Sequence, residues 1–429
     1  MIWNETKECM SRDEMLDLQG KRLVMLVKRM YHGTDYYRKK MQKQGVEPGD
    51  IKSIEDLDKL PFTTKEDLKN TYPFGMFAVP QSEIVRYHTP SGADCMEMVV
   101  GYTRNDIDIW SECVARSIYM AGLNRDDVIQ VAYNYSMFNG GLGAHYGAEK
   151  VGAAVLPTSS HSTPQLVKLM QDLGVTGIMG TPTYLLHIAQ TIEEMGLVGK
   201  TRLKAALCGT ELWPVHMRDK VQQKLGIKAY DIYGLSELAG PGVACECKFQ
   251  RGMHVQEDYF VAEVLNPQTL KPVPDGESGE LVFTTLHKEG IPLIRYRTMD
   301  ITSITHEKCE CGRTTARIRR LGEKAGDMLS IRGNNVRPDE ISSALLKISD
   351  ISATYKVSVC REHNFDMVDV FIEPDSGDDA FSAEYVKGKV EKALYSVIGM
   401  LPRVTIADKG IAGNVSGERV SVVDNRNCL

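Results

Sequence analysis

Between residues 127 and 233 the apolar positions follow two alternating periods. Short apolar runs at 128–132, 153–156, 175–179 and 203–207 are separated by stretches at 143–150, 164–173, 182–195 and 215–225, in which apolar residues return every third or fourth position. Continuous runs read as buried strands and the longer period as amphipathic helices, so this alternation predicts an α/β fold with a mostly parallel sheet covered on both faces. Ligands of such sheets sit beyond the carboxyl ends of the strands. Gly209-Thr210-Glu211 and the run from Asp231 through Tyr233-Gly234-Leu235-Ser236-Glu237 both fall at such ends.

The pattern changes on either side. Residues 11–44 carry Met15, Leu18, Leu23, Leu26, Val27 and Met30 at helical spacing; residues 54–60 read as a short helix, followed after a break by a second helix capped by Thr63 or Thr64. From 258 to 305 alternation with turns at Asn266-Pro267 and Pro274-Asp275-Gly276 predicts an antiparallel β subdomain. A charged, glycine-containing join at 322–327 reads as a hinge. Beyond it, strands near 328–331, 356–360, 368–372 and 403–406 and helices at 338–347 and 383–398 give a β-α-β-β-α-β order. The expected architecture is a large N-terminal domain, 1–323, with mostly parallel sheets, covering helices and the antiparallel subdomain, and a small α+β C-terminal domain, 324–429.

Chemistry enters at the strand ends. Tyr233 is suited to stack on a flat heterocycle, Gly234 and Ser236 let backbone approach a ligand, and Glu237 offers a hard oxygen to a metal-bound phosphate. The plainer reading is a strand with an aromatic plug and a capping serine. A second constellation joins Cys247 and His254 to Cys309 and Cys311, where Gly312 permits a tight turn. Three thiolates and an imidazole suit a tetrahedral structural Zn²⁺, with no open coordination position; the alternatives are separately packed residues, or Cys245 replacing one ligand.

Composition narrows the class. A chain of 429 residues, 42% of them hydrophobic, can bury a large core. The net charge of -6 and the lack of a basic run argue against a nucleic-acid partner and favour small-molecule chemistry. No apolar run approaches the ~20 residues of a membrane span, and residues 1–9 lack a signal-peptide core, so a cytoplasmic location with reduced cysteines is expected.

Several ordered motifs together resemble the phenylacetate-coenzyme A ligase family of adenylate-forming enzymes. They are Tyr233-Gly234-Leu235-Ser236-Glu237 with Gly240-Pro241-Gly242, Gly209-Thr210-Glu211-Leu212-Trp213, Ile294-Arg295-Tyr296-Arg297-Thr298-Met299-Asp300, Val99-Val100-Gly101-Tyr102-Thr103, the segment from Gly140 to Glu149, Thr181-Pro182-Thr183-Tyr184, and Ile331-Arg332-Gly333-Asn334-Asn335-Val336. The resemblance implies that ATP and an aromatic or related carboxylic acid give an acyl-adenylate, which is passed to coenzyme A. It implies that Tyr233 stacks on adenine beside Gly209, Thr210 and Glu211, that Asp231, Gly234, Ser236 and Lys324 border the nucleotide, that Glu237 holds Mg²⁺ and that Asp300 holds the ribose. A surface aspartate beside Arg295 or Arg297 is the competing reading of Asp300. The same resemblance places Tyr135, Phe138 and Gly141 at the acyl pocket, although close packing is the other reading of the glycines at 140, 141, 143 and 147. It lets pantetheine pass Gly333, makes the C-terminal domain mobile, adds weight to zinc, and leaves a homodimer open as the assembly.

Two departures stand against this background. Ala93, Asp94, Cys95 and Met96 occupy the place of the family's phosphate loop, keeping only Ser91 and Gly92, and Ser416 and Glu418 stand where C-terminal lysines are expected. Lys409 or Lys324 is the candidate substitute. These departures predict slow or absent adenylation with retained use of a supplied adenylate, and they support a rival reading as a noncatalytic nucleotide- or acyl-coenzyme-A-binding relative.

Overall fold

A computed structural model describes residues 1–89, 98–133, 135, 140–158, 162–210, 213, 215–319, 323–324, 329–331, 334–336, 338–348, 351–362, 365–374, 383–407 and 420–424. The chain divides into two compact units. The first comprises Met1–Thr181, Met195–Glu211 and Leu225–Leu321; the second comprises Pro182–Glu194, Leu212–Lys224 and Gly322–Leu429.

In the first unit the long N-terminal helix forms as expected but ends early. Arg12–Gly33 starts at a capping box between Ser11 and Glu14 and buries Met15, Leu23, Leu26, Val27 and Met30. Extended Thr34 then separates it from a second helix, Asp35–Lys43, and the Thr34 hydroxyl donates to the Met30 carbonyl at 2.7 Å. Thr64, rather than Thr63, caps the helix Lys65–Asn70, because Thr63 is buried and donates to the Ile294 carbonyl at 2.6 Å.

A nine-stranded sheet organises this unit. Ala154–Pro157, Val128–Val131, Gly177–Gly180, Ala205–Cys208 and Lys228–Tyr233 lie side by side in parallel, as the alternating pattern predicts. At Lys228–Tyr233 the direction changes: Ala244–Glu246, Met253–Val255, Arg317–Ile318 and Ile304–Thr305 extend the same sheet in antiparallel register. The sheet is therefore mixed, and antiparallel pairing begins before residue 258. A separate antiparallel sheet contains Phe260–Leu265, Gly279–Thr285 and Tyr296–Thr302.

Helix Arg104–Met120 locks the sheet to the chain beyond Tyr233. Its fully buried Trp110 stacks on Tyr102 with centroids 5.4 Å apart, and the indole N–H donates to the Pro241 carbonyl at 2.9 Å. A Cβ at Gly143 would lie 2.0 Å from Trp110, and one at Gly147 would lie 2.3 Å from Val114. These two glycines of the helix Gly140–Val151 are thus small so that two helices can meet, the packing alternative raised by the sequence.

In the second unit, helices Pro338–Leu346 and Ala383–Ile398 accompany a four-stranded sheet ordered Arg403–Ile406, Phe365–Pro374, Ile351–Glu362, Val420–Asp424. Its own apolar core includes Ile341, Val357, Val370, Val390 and Leu394. Here the expected order is corrected. Leu329–Ile331 pairs with Asn334–Val336 in a separate hairpin, and Val420–Asp424 joins the sheet parallel to Ile351–Glu362.

Candidate active site

The central strand Lys228–Tyr233, where pairing switches from parallel to antiparallel, delivers the chain into a tight turn. The Leu235 carbonyl accepts N–H groups from Leu238, Ala239 and Gly240 at 3.0, 3.1 and 2.8 Å, and Gly242 N–H returns to the Tyr233 carbonyl at 3.1 Å. A Cβ on Gly234 would stand 1.8 Å from the Gly240 carbonyl oxygen. Glycine is thus required there by the chain's own closure.

Tyr233 and Asp300 are brought together from opposite sheets. The Tyr233 hydroxyl donates to Asp300 Oδ2 at 2.8 Å, and the two side chains are almost entirely buried. Burial, and after it the Asp300 charge, raises the Tyr233 phenol far above its ordinary value, so it stays a donor. Phe283 stacks on the same ring at 6.1 Å. Asp300 is not a surface aspartate beside an arginine: Arg295 is paired with Glu263 and Arg297 with Glu280. The segment carrying Asp300 is locally strained, with Arg295 and Met299 at φ 44° and 63°, and Thr210 at the neighbouring strand end has φ 72°. Such conformations in non-glycine residues cost on the order of 1–3 kcal/mol each and gather at functional sites.

Glu237 is half-buried in this turn. Its Oε1 accepts the Tyr296 hydroxyl at 3.3 Å, and its backbone carbonyl accepts the Lys288 ammonium at 2.6 Å. A cleft walled by Leu68, Tyr72, Met76, Met98 and Val100 reaches Glu237. Lys288 is only 7% exposed, and burial lowers its pKa to about 8. Sequence reading gave no role to Lys288 or Tyr296. The available signal was a charged run, His287-Lys288-Glu289, set directly between apolar stretches.

The other expected residues divide. Gly209 packs on the same strand, since a Cβ there would be 2.5 Å from the Ile232 carbonyl. Asp231 N–H donates to Glu246 at 2.9 Å, and Ser236 is buried with its carbonyl accepting the Tyr102 hydroxyl at 3.1 Å. Tyr135 is half-buried and its hydroxyl lies 3.2 Å from His145 Nδ1, while His145 Nε2 lies 3.1 Å from Glu149. Gly141 is buried in its helix. Glu211, Phe138, Gly333, Ala93 to Met96, Lys409, Ser416 and Glu418 lie outside the described residues, and Lys324 is described only as part of the strand Glu323–Lys324.

Cys247, His254, Cys309 and Cys311 converge, with their ligand atoms all within 4.8 Å of one another. Cys247 and His254 come from the hairpin that extends the main sheet, and Gly312, at φ 97°, turns the other two inward. Cys245 points elsewhere, its thiol 3.9 Å from the Ser117 carbonyl. His254 Nδ1 is 3.1 Å from the Thr315 hydroxyl, leaving Nε2 toward the cysteines. Arg313, paired with buried Glu8, reaches Cys311 Sγ at 3.6 Å and the Met1 carbonyl at 2.9 Å.

Comparison with known proteins agrees across the chain. Residues 105–287 match the AMP-binding enzyme family model, and 333–426 match the AMP-binding enzyme C-terminal domain. Phenylacetate-coenzyme A ligase of Pseudomonas putida is 41% identical over 98% of this chain and 96% of its own length, and that of Escherichia coli K12 is 40% identical over 98% and 97%. Among solved structures, a 2-hydroxyisobutyryl-CoA ligase in the postadenylation state superposes with a TM-score of 0.86 at 26% identity, covering 100% of this chain and 93% of that one.

Proposed function

The chain belongs to the phenylacetate-coenzyme A ligase family of AMP-binding enzymes, and from that premise we propose that it joins an aromatic or related carboxylic acid to coenzyme A at the expense of ATP. The observation that carries the reading is the meeting of Tyr233, Asp300, Glu237 and Tyr296 at one turn beyond the central strand. Relatives matched over nearly the whole length are named as ligases, which favours this over a noncatalytic or partial-reaction protein.

In the first step a carboxylate oxygen of the acid attacks the α-phosphorus of ATP, and pyrophosphate leaves. In the second the coenzyme A sulfur, its proton lost, attacks the acyl carbon and AMP leaves. The first step brings two anions together, so the protein's task is placement and charge compensation. Asp300 would accept ribose hydroxyls while Tyr233 holds its other oxygen. Tyr233 would border the base together with Gly209, Thr210 and Glu211. Asp231, Gly234, Ser236 and Lys324 complete the proposed nucleotide site. Mg²⁺, a cation that takes one or two carboxylates plus phosphate oxygens, would neutralise phosphate charge when bound, and half-buried Glu237 is the residue suited to hold it. Tyr135, Phe138 and Gly141 are proposed at the acyl pocket and Gly333 beside pantetheine. A C-terminal domain from residue 324 that reorients between the two steps completes the reading.

Zn²⁺ is proposed at the cysteine-histidine cluster, in a structural role. In a tetrahedral site with Zn–S of about 2.3 Å and Zn–N of about 2.05 Å, two sulfurs lie about 3.8 Å apart and sulfur and nitrogen about 3.5 Å. Cys247 and Cys309 Sγ are 3.8 Å apart, and Cys311 Sγ and His254 Nε2 are 3.5 Å apart. The donor set and its spacing both support zinc.

The test is thioester formation from ATP, Mg²⁺, coenzyme A and a panel of aryl and arylacetic acids, followed by chromatography. Phenylacetate or a close analogue is expected to be used. Absence of product with every acid, from protein that still binds AMP, would remove the ligase reading and restore its noncatalytic rival.

A further inference from the structure

Lys288 is a buried ammonium at the back of the turn that carries Glu237. It is 7% exposed, its Nζ donates to the Glu237 carbonyl at 2.6 Å, and it lies 5.1 Å above the Tyr102 ring. The single Tyr102 O–H is in turn shared between the carbonyls of Ser236 and Ala239, each at 3.1 Å. Three carbonyls of one short turn are therefore held by two side chains from elsewhere in the fold. Among the described residues no carboxylate forms an ion pair with Lys288 Nζ, and the nearest charges that act on it are those of Asp106 and Glu237.

The segment bearing Lys288 is itself anchored. Asp106 accepts the N–H groups of Glu289 and Gly290 at 2.7 and 2.9 Å, and Thr103 donates to Glu289 at 2.9 Å. Thr103 and Asp106 also form the capping box of the helix Arg104–Met120. A rigid helix start thus fixes the short loop from which Lys288 reaches the turn. Burying an ammonium that touches no carboxylate is costly, and the nearby charges of Asp106 and Glu237 offset only part of that cost, since burial still lowers its pKa; a methionine of similar length would fill the same space without it. The cation lies beside the turn where the proposed reaction brings a triphosphate and a carboxylate together.

We propose that Lys288 is a positioning residue for nucleotide activation: from behind the turn it fixes the Glu237 backbone, so that the carboxylate faces the metal-bound phosphates, and adds positive charge beneath them. This rests on the ligase reading and assigns Lys288 a contribution separate from the base and ribose contacts. Its effect should be felt by ATP with its metal and much less by AMP.

The experiment compares wild type with Lys288→Met and Lys288→Arg by calorimetric titration with ATP plus Mg²⁺ and, separately, with AMP in the absence of metal. Losing one charged hydrogen bond to the turn is expected to weaken Mg·ATP roughly tenfold in Lys288→Met, with AMP changed by less than about threefold, and the arginine variant should recover most of the loss. Tyr102→Phe, which keeps the ring and removes the hydroxyl that the neighbouring carbonyls share, should show the same split to a smaller degree and serves if Lys288→Met does not fold. Equal weakening of ATP and AMP, or no change in either, would overturn the proposal. The titrations decide this even if the wild-type protein makes no thioester, so the two readings fail separately.

Discussion

The Tyr233 hydroxyl donates to Asp300 Oδ2 at 2.8 Å, joining the end of the central strand to the neighbouring antiparallel sheet. One oxygen of the carboxylate is thereby committed within the protein. Hydrogen bonds to a charged group are worth ~1.5–3 kcal/mol, so Asp300→Ala should weaken AMP by roughly tenfold or more. Tyr233→Phe keeps the ring and loses the hydroxyl that orients Asp300, so its effect should be smaller, with Tyr233→Ala closer to Asp300→Ala. Calorimetry with AMP measures all three; unchanged affinity in both alanine variants would reject the site.

Gly234 tests the turn. Its missing Cβ would stand 1.8 Å from the Gly240 oxygen, whereas a Cβ at Gly49 would meet nothing within 4 Å. Gly234→Ala must force the turn open and should lower stability by ~2 kcal/mol or more, with nucleotide affinity lost, while Gly49→Ala stays within about 0.5 kcal/mol of wild type. Urea denaturation compares the two variants directly.

Metal analysis tests the cysteine-histidine cluster. Protein purified without added metal should contain about one zinc per chain, and Cys309→Ser should lower thermal stability before it alters chemistry, because a structural zinc contributes folding energy directly. Fully stable, zinc-free protein would contradict this assignment.

Asp127 sets a pH dependence at the start of the first parallel strand. Burial pushes its carboxyl up, but the Lys204 ammonium at 2.7 Å, the Asn124 N–H at 2.7 Å and the Thr176 hydroxyl outweigh burial and hold it below the usual range. A carboxyl depressed in the folded state stabilises above its unfolded value of about 3.9, and that contribution is lost as pH falls through the lower folded value. Denaturation midpoints recorded from pH 7 to pH 3 should therefore fall less steeply in Asp127→Asn than in wild type. Parallel curves would show that this carboxyl carries none of the acid sensitivity.

Local pattern carried much of the fold. The parallel strands and their connecting helices lie within a few residues of the positions read from periodicity, because buried runs and amphipathic faces are local signals. The chain from Asp258 to Thr305 also alternates as expected, and the four metal-site residues stood out by spacing. What escaped is non-local. Pairing of Arg317 with His254 prolongs the main sheet through residues far apart in sequence, and Val420–Asp424 finds its partner only after the chain has crossed the second unit. The packing of Gly143 against Trp110 and the reach of Lys288 to Glu237 likewise depend on which helix and loop face each other. At Thr34, a hydroxyl bonded back to Met30 broke a pattern that looked continuous.

The central claim is that this chain activates a carboxylic acid with ATP and passes it to coenzyme A. Its most direct test is quantitation of acyl-coenzyme A, AMP and pyrophosphate by mass spectrometry and coupled assay, after incubation with phenylacetate, ATP, Mg²⁺ and coenzyme A. The account predicts the three products in equal amounts, with thioester absent when either ATP or coenzyme A is left out. ADP in place of AMP, or thioester independent of ATP, would contradict it.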